Sequence, residues 1–189
     1  MKINPGNARG LLVPQGDRPF SFVVYSSEIR DFGCQAIRVL VQDAVKDLLL
    51  PTQPKSPKDE PSFREPQVVN NYLPPKRSGE ALDFPFVLVR AERGSSNQDQ
   101  TTVSVALVIG VYCQNGLDGA REGHEHCLNV MERIRLKLMS LPGLILAGRY
   151  QLRGDVTWTL PTDQPFPFYQ LDMETEWLFR SPVTVMEDF

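Results

Sequence analysis

Five side chains have the chemistry of metal ligands or nucleophiles: Cys34, Cys113 and Cys127, with His124 and His126. The run His124-Glu125-His126-Cys127 gathers three of them within one helical turn. On a helix, residues two apart point to different sides while residues three apart share one, so His124 and Cys127 can face a common ligand and His126 cannot. The i, i+4 histidine pair of zinc peptidases is missing, as are the paired short spacings of closed zinc sites. Cys113 would complete a small metal- or thiol-dependent enzyme with His124 and Cys127. A packed Cys127 beside surface histidines is the simpler expectation, and no metal or other cofactor is expected.

Other catalytic patterns fail on spacing. Gly116 to Gly123 has neither the G-x-G-x-x-G rhythm nor the Lys-Ser or Lys-Thr of a phosphate loop. A cysteine nucleophile needs a base and an oxyanion pocket, and the only two histidines share one segment. The protein is therefore not expected to be an enzyme. Asp172, Glu174 and Glu176 alternate along a predicted strand and so share one face. Such a row serves as an acid/base pair in some sites, but a solvated or partner-facing surface is the default reading. Around a DNA channel, an acidic inner face would repel phosphate and reduce sticking. Arg133, Arg135 and Lys137 follow Glu132 and form no basic stripe, so sequence-specific nucleic-acid binding is not expected.

The elements that would position these groups follow from periodicity. Residues 1–26, with Pro5, Gly6, Gly10, Pro14, Gly16 and Pro19, read as an N-terminal arm leading into a short strand at Phe20 to Tyr25. Ser26 and Ser27 ahead of Glu28 signal a helix start, and Pro51 closes the segment. Between them Ile29, Ala36, Ile37, Leu40, Val41, Ala44 and Leu48 form one apolar face. Residues 51–85 hold 8 of the 16 prolines and many charges, and read as a long extended loop, its middle pinned by Val68, Val69, Tyr72 and Leu73.

A hairpin follows, with strands at Phe86 to Glu92 and Thr101 to Cys113 and a mobile tip of Gly94, Ser95, Ser96, Asn97, Gln98, Asp99 and Gln100. Asn115-Gly116 turns the chain, Asp118 can cap, and a second helix runs from about Gly119 to Leu141, where Pro142-Gly143 ends it. Its inward stripe would be His124 or Cys127, Leu128, Met131, Ile134 or Arg135, and Leu138. Two last strands follow. Arg149 to Leu160 sets Val156, Trp158 and Leu160 inward, and Tyr169 to Phe179 sets Leu171, Met173, Thr175, Trp177 and Phe179 against the three acids. The expectation is a single α+β domain over 27–189: an antiparallel sheet of about four strands packed on two helices, in helix-hairpin-helix-hairpin order.

Composition bounds the function classes. At 189 residues, with 41% hydrophobic, 9% aromatic and 23% charged content and a net charge of −3, the chain can bury one core. It is neither a disordered polyelectrolyte nor a basic nucleic-acid binder. Three cysteines and an N-terminus, Met1 to Gly10, without an apolar core point to a reducing cytoplasm. The most apolar run, Val103 to Cys113, falls short of the roughly 18 residues a membrane span needs, so a soluble protein with no membrane partner is expected.

From Phe84 onward the chain resembles the tail terminator, or tail-completion, proteins of long-tailed phages and prophages. The likeness rests on Phe84-Pro85-Phe86-Val87-Leu88-Val89-Arg90 before a polar loop, and on Val103 to Tyr112 ending in Ile109-Gly110-Val111-Tyr112. It continues in Leu128-Asn129-Val130-Met131-Glu132-Arg133-Ile134-Arg135 and in Gln164-Pro165-Phe166-Pro167-Phe168-Tyr169 before Met173-Glu174-Thr175-Glu176-Trp177. It spans roughly the C-terminal half and, more weakly, the first helix.

The resemblance implies a structural virion protein made in the bacterial host cytoplasm and located in the virion tail. Its subunits would form a ring, commonly a hexamer, that caps the tail tube, stops its polymerisation and offers a head-tail joining surface. The implied partners are further copies of itself, the tail tube protein and a head-completion or connector protein, with DNA passing through the ring. A neck or other head-tail connector protein is the nearest alternative. The resemblance supplies no catalytic residues. Assembly contacts are expected at the tip, 94–100, at Asp172, Glu174 and Glu176, and in the 51–85 loop.

Overall fold

The computed structural model describes residues 33–54, 56, 62–76, 83–114 and 119–181. The arm 1–26, the helix-start signals Ser26 to Glu28, the Asn115-Gly116 turn and the Asp118 cap lie outside them.

The first helix, α1 (Cys34–Val45), begins after Gly33 and buries Cys34, Ile37, Leu40, Val41 and Val45, a spacing of three and four residues that keeps one stripe inward. It ends where Asp47 takes a positive φ of 65° and its backbone N–H donates to Glu65 Oε1 at 2.9 Å. The proline-rich segment then supplies three short strands. β1 (Leu50–Pro51) pairs antiparallel with β2 (Phe63–Arg64), and β3 (Gln67–Asn70) runs parallel to the start of β4 (Phe86–Ser96). β5 (Gln100–Tyr112) completes the hairpin with β4.

The second helix, α2 (Gly119–Met139), is followed by a single 3-10 turn at Pro142–Leu144 and a two-residue strand, β6 (Ile145–Leu146). β7 (Tyr150–Thr159) and β8 (Phe168–Arg180) finish the described chain. The main sheet has six strands in the order β3-β4-β5-β8-β7-β6, and β1 with β2 makes a separate two-stranded ladder.

The expected fold class is therefore corrected. The protein is mostly β, with a curled, mixed six-stranded sheet and a small second sheet, not an antiparallel four-stranded sheet on two helices. The difference arises in 51–85. Proline excludes a strand interior but tolerates strand ends. Pro51 closes β1, Pro66 precedes β3, and Pro74-Pro75 follow it, leaving Gln67-Val68-Val69-Asn70 uninterrupted. Val68 is buried, and Arg38 Nε donates to its carbonyl at 3.1 Å, which fastens β3 under α1. Tyr72, expected to help pin this segment, stands 74% exposed.

The hairpin is also longer than expected. Its ladder continues through Gly94, Ser95 and Ser96, with Ser96 opposite Thr101, so only Asn97 to Asp99 turn. Asn97 Oδ1 accepts from the backbone N–H groups of Asp99 and Gln100 at 2.9 and 2.8 Å. The hydroxyls of Ser96, Thr101 and Ser181 lie within 2.8–3.1 Å of one another. These bonds replace the mobile tip with a fixed turn tied to the end of β8.

The core lies on one face of the sheet. Val87 and Val89, then Val103, Val105, Leu107, Ile109 and Val111, then Leu171, Met173 and Trp177 are all buried there. α1 packs chiefly on β3 and β4, and α2 on β5 and β8. Within this core Trp177 Nε1 donates to Thr175 Oγ1 and that hydroxyl donates to the Val105 carbonyl, each at 3.0 Å, so the buried polar atoms are satisfied. Two cis prolines, Pro85 and Pro167, stand beside an aromatic cluster. In it Phe84 meets Phe86 and Phe168 at 5.0 and 4.9 Å, and Phe168 meets Tyr112 at 5.6 Å.

Candidate assembly surface

Side chains opposite one another in a ladder share a face, so the register fixes what the uncovered side of the sheet presents. Arg90, Ala106, Glu174 and Thr157 form one row across β4, β5, β8 and β7. Arg93, Ser104, Glu176 and Arg153 form the next. Asp172 lies one row further on, opposite Val108 and Thr159. The three acids thus run along a central strand, on the face away from both helices, between arginines on the outer strands.

Two shallow depressions mark this face. One, of about 520 Å³, has Phe86, Leu88, Ala106 and Val108 as its floor and Tyr72 and Asp172 in its walls. The other, of about 210 Å³, lies among Arg93, Arg153, Asp155 and Glu176. Asp172 Oδ1 accepts from Gln170 Nε2 at 2.9 Å. Among the described residues Glu174 and Glu176 make no ion pair or side-chain hydrogen bond. Their nearest basic neighbours on the face lie about 10 Å away across two strands, where solvent screens much of the attraction. The row is a charged surface rather than a built acid/base pair.

The bulges explain where the outer arginines sit. β4 carries an irregularity between Ala91 and Arg93, and β7 one between Arg153 and Thr157. In β7, Gly154 takes a φ of 69°, the left-handed conformation that glycine adopts without a Cβ clash, and Asp155 stands exposed next to it. Beyond this bulge Trp158 is opposite Met173, on the helix-covered side as its alternation predicts, yet it is 47% exposed. Two helices are too narrow to roof β7 as well as β3, β4, β5 and β8.

The thiol and histidine candidates occupy a different place. Cys113, Cys127 and Cys34 are all buried, and none is in a disulfide. Cys113 Sγ donates to Glu122 Oε2 at 3.6 Å. Burial pushes the Cys127 thiol up to about 12, which disfavours the thiolate that both metal binding and nucleophilic attack require. His124 lies edge-on to Tyr169 at 5.2 Å, and Tyr169 packs over Gly123, where an added Cβ would come within 2.3 Å of the ring. Burial raises the Tyr169 phenol, with Cys113 and Cys127 adding to the effect. Among the described residues no group of three His, Cys, Asp or Glu side chains is arranged to hold a metal.

On α2 the outward expectation for Leu128 is reversed from the inward stripe: it is 39% exposed, and Val130 is buried in its stead. The basic cluster is engaged in structure. Arg135 grips Glu132 through two bonds of 2.7 Å, Arg133 donates to the Lys46 carbonyl at 3.4 Å, and Lys137 pairs with Asp43 at 2.5 Å. No helix among the described residues is long and apolar enough to cross a membrane.

No protein-family model matches this chain, and no curated protein matches it.

Proposed function

We propose that this protein is a structural subunit of a phage or prophage tail, a terminator-like ring former that caps the tail tube and offers a surface for head joining. The observation that carries the reading is the two-sidedness of its sheet. One face is roofed by helices, and the other is open and bears Asp172, Glu174 and Glu176 in a row. A ring wall needs such a sheet, with a packed side to hold the subunit together and a hydrophilic side to face a lumen. Carboxylates repel DNA phosphate, so a lumen lined by them lets DNA pass without holding it.

A second support joins sequence to fold. The segments Phe84-Pro85-Phe86 and Phe166-Pro167-Phe168, which carry the family resemblance, lie about 80 residues apart and meet in one aromatic cluster. On this reading the protein works by assembly, needs no cofactor, and acts in the virion tail after synthesis in the host cytoplasm.

Light scattering across a range of protein concentrations, repeated with purified tail tube protein, tests it. Closed particles of about six chains, and tubes whose growth stops when the protein is added, are expected. A chain that stays monomeric and neither binds nor caps tubes overturns the proposal. Binding to a connector but not to tubes would assign it to the neck instead.

A further inference from the structure

Both margins of the main sheet are only partly covered. β3 pairs with Phe86 to Val89 of β4 and leaves Arg90 to Ser96 without an outer neighbour. β6 pairs with Tyr150 and Gln151 of β7 and leaves Leu152 to Thr159 without one. An uncovered margin is a strand-pairing surface.

The two margins suit each other. β4, β5, β8 and β7 are antiparallel in succession, so β4 and β7 run in opposite directions. A second copy set beside the first, with the same face outward, brings its β7 alongside β4 in the antiparallel sense. The uncovered runs also overlap in height, because Arg90 shares a row with Thr157 and Arg93 shares one with Arg153.

Charge distinguishes this pairing from its rivals. On β4, Arg90 is held by Glu92 at 2.6 Å, and Arg93 makes no ion pair or hydrogen bond among the described residues. On β7, Arg153 stands opposite Glu176, and Asp155 likewise makes none. One margin carries an unmatched cation and the other an unmatched anion. Pairing β4 with β4 about a two-fold axis would bring Arg93 toward its own copy and leave both Asp155 and the half-exposed Trp158 outside.

The bulges limit the contact. They interrupt each margin at its middle, which denies other chains a long flat edge and leaves only short runs for a specific neighbour.

We infer that the Arg90–Ser96 margin of one copy pairs with the Leu152–Thr159 margin of the next, Arg93 meeting Asp155 and Trp158 being covered at the joint. The contact is heterologous, so it repeats and closes by rotation. It rests on the ring reading above and names the surface that reading requires.

Charge reversal tests it on the full chain. Arg93→Asp and Asp155→Arg should each weaken ring formation about tenfold or more, and the double reversal should restore it. Both side chains are exposed and without partners in the fold, so circular dichroism should show each variant folded. As a second measurement, Arg93→Cys copies mixed with Asp155→Cys copies should form a disulfide on oxidation that neither forms alone. Wild-type rings that ignore both reversals, or Arg93→Cys copies that cross-link to themselves, overturn this interface and leave the ring reading standing. A wild-type chain that is monomeric alone and on tubes overturns both.

Discussion

Lys137 on α2 meets Asp43 on α1 at 2.5 Å, and Lys46 of α1 reaches the other oxygen of the same carboxylate at 2.7 Å. One acid thus joins two helices through two cations. The hydrogen bond from Lys137 and then that from Lys46 hold the Asp43 carboxyl down to about 2, below its ordinary 3.8. Its folded value lies below its unfolded value, so its contribution is complete above about pH 4 and is lost as pH falls through 2. A carboxyl-carbon NMR titration should place Asp43 near 2. Asp43→Asn should lower the urea midpoint slightly at pH 7 and leave it unchanged near pH 1.5, the pair being fully exposed and its effect small.

Thr175 is the polar link of the core. Its hydroxyl accepts from Trp177 Nε1 and donates to the Val105 carbonyl, with Trp177 fully buried. Thr175→Val keeps the shape but removes both bonds and strands an indole N–H, at a cost of about 1–3 kcal/mol. Thr175→Ser keeps the hydroxyl and should cost about 1 kcal/mol through the lost methyl. Urea unfolding of the two variants should rank them in that order.

A thiol held near 12 and buried is chemically quiet. At pH 8 only about one Cys127 in ten thousand would be thiolate. Iodoacetamide followed by peptide mass analysis should leave Cys127 unmodified in the native protein and label it fully in denaturant. Stoichiometric zinc that disappears in Cys127→Ala would instead establish a metal role.

The acidic row can be inverted without touching the core. Glu174→Lys with Glu176→Lys replaces two exposed side chains and should change stability by about 0.5 kcal/mol or less. It should also create DNA binding that fades as salt rises, because the new lysines attract phosphate. Filter binding across a salt series reads this directly. Wild-type protein that retains DNA at physiological salt would refute a repelling lumen.

Local pattern carried much of the strand reading, and non-local partners account for most of the errors. β8 is legible residue by residue, because both its neighbours leave a dry face and a wet one that simple alternation records. Trp158 was assigned to the correct side but the wrong environment, since alternation gives direction and says nothing of how wide the helical roof is. β3 escaped because a four-residue strand among prolines has too short a period to register, and its parallel partner, β4, lies beyond the following loop. Of the site residues, the acids were visible in sequence. Arg90, Arg93, Arg153 and Asp155 were not, because only the register across four strands puts them around those acids.

The parallel pairing of β3 also orders events in time. The β4–β5 hairpin can form from a contiguous stretch of chain, with only Asn97 to Asp99 to be turned. β3 has no ladder to join until β4 exists, and it must wait for the intervening loop to close. The margin that holds α1 through Arg38 is thus a late arrival in folding. Amide hydrogens at Val69 and Asn70 belong to the part of the sheet that opens most readily, even though Val68 between them and Gln67 is buried as deeply as the central strands.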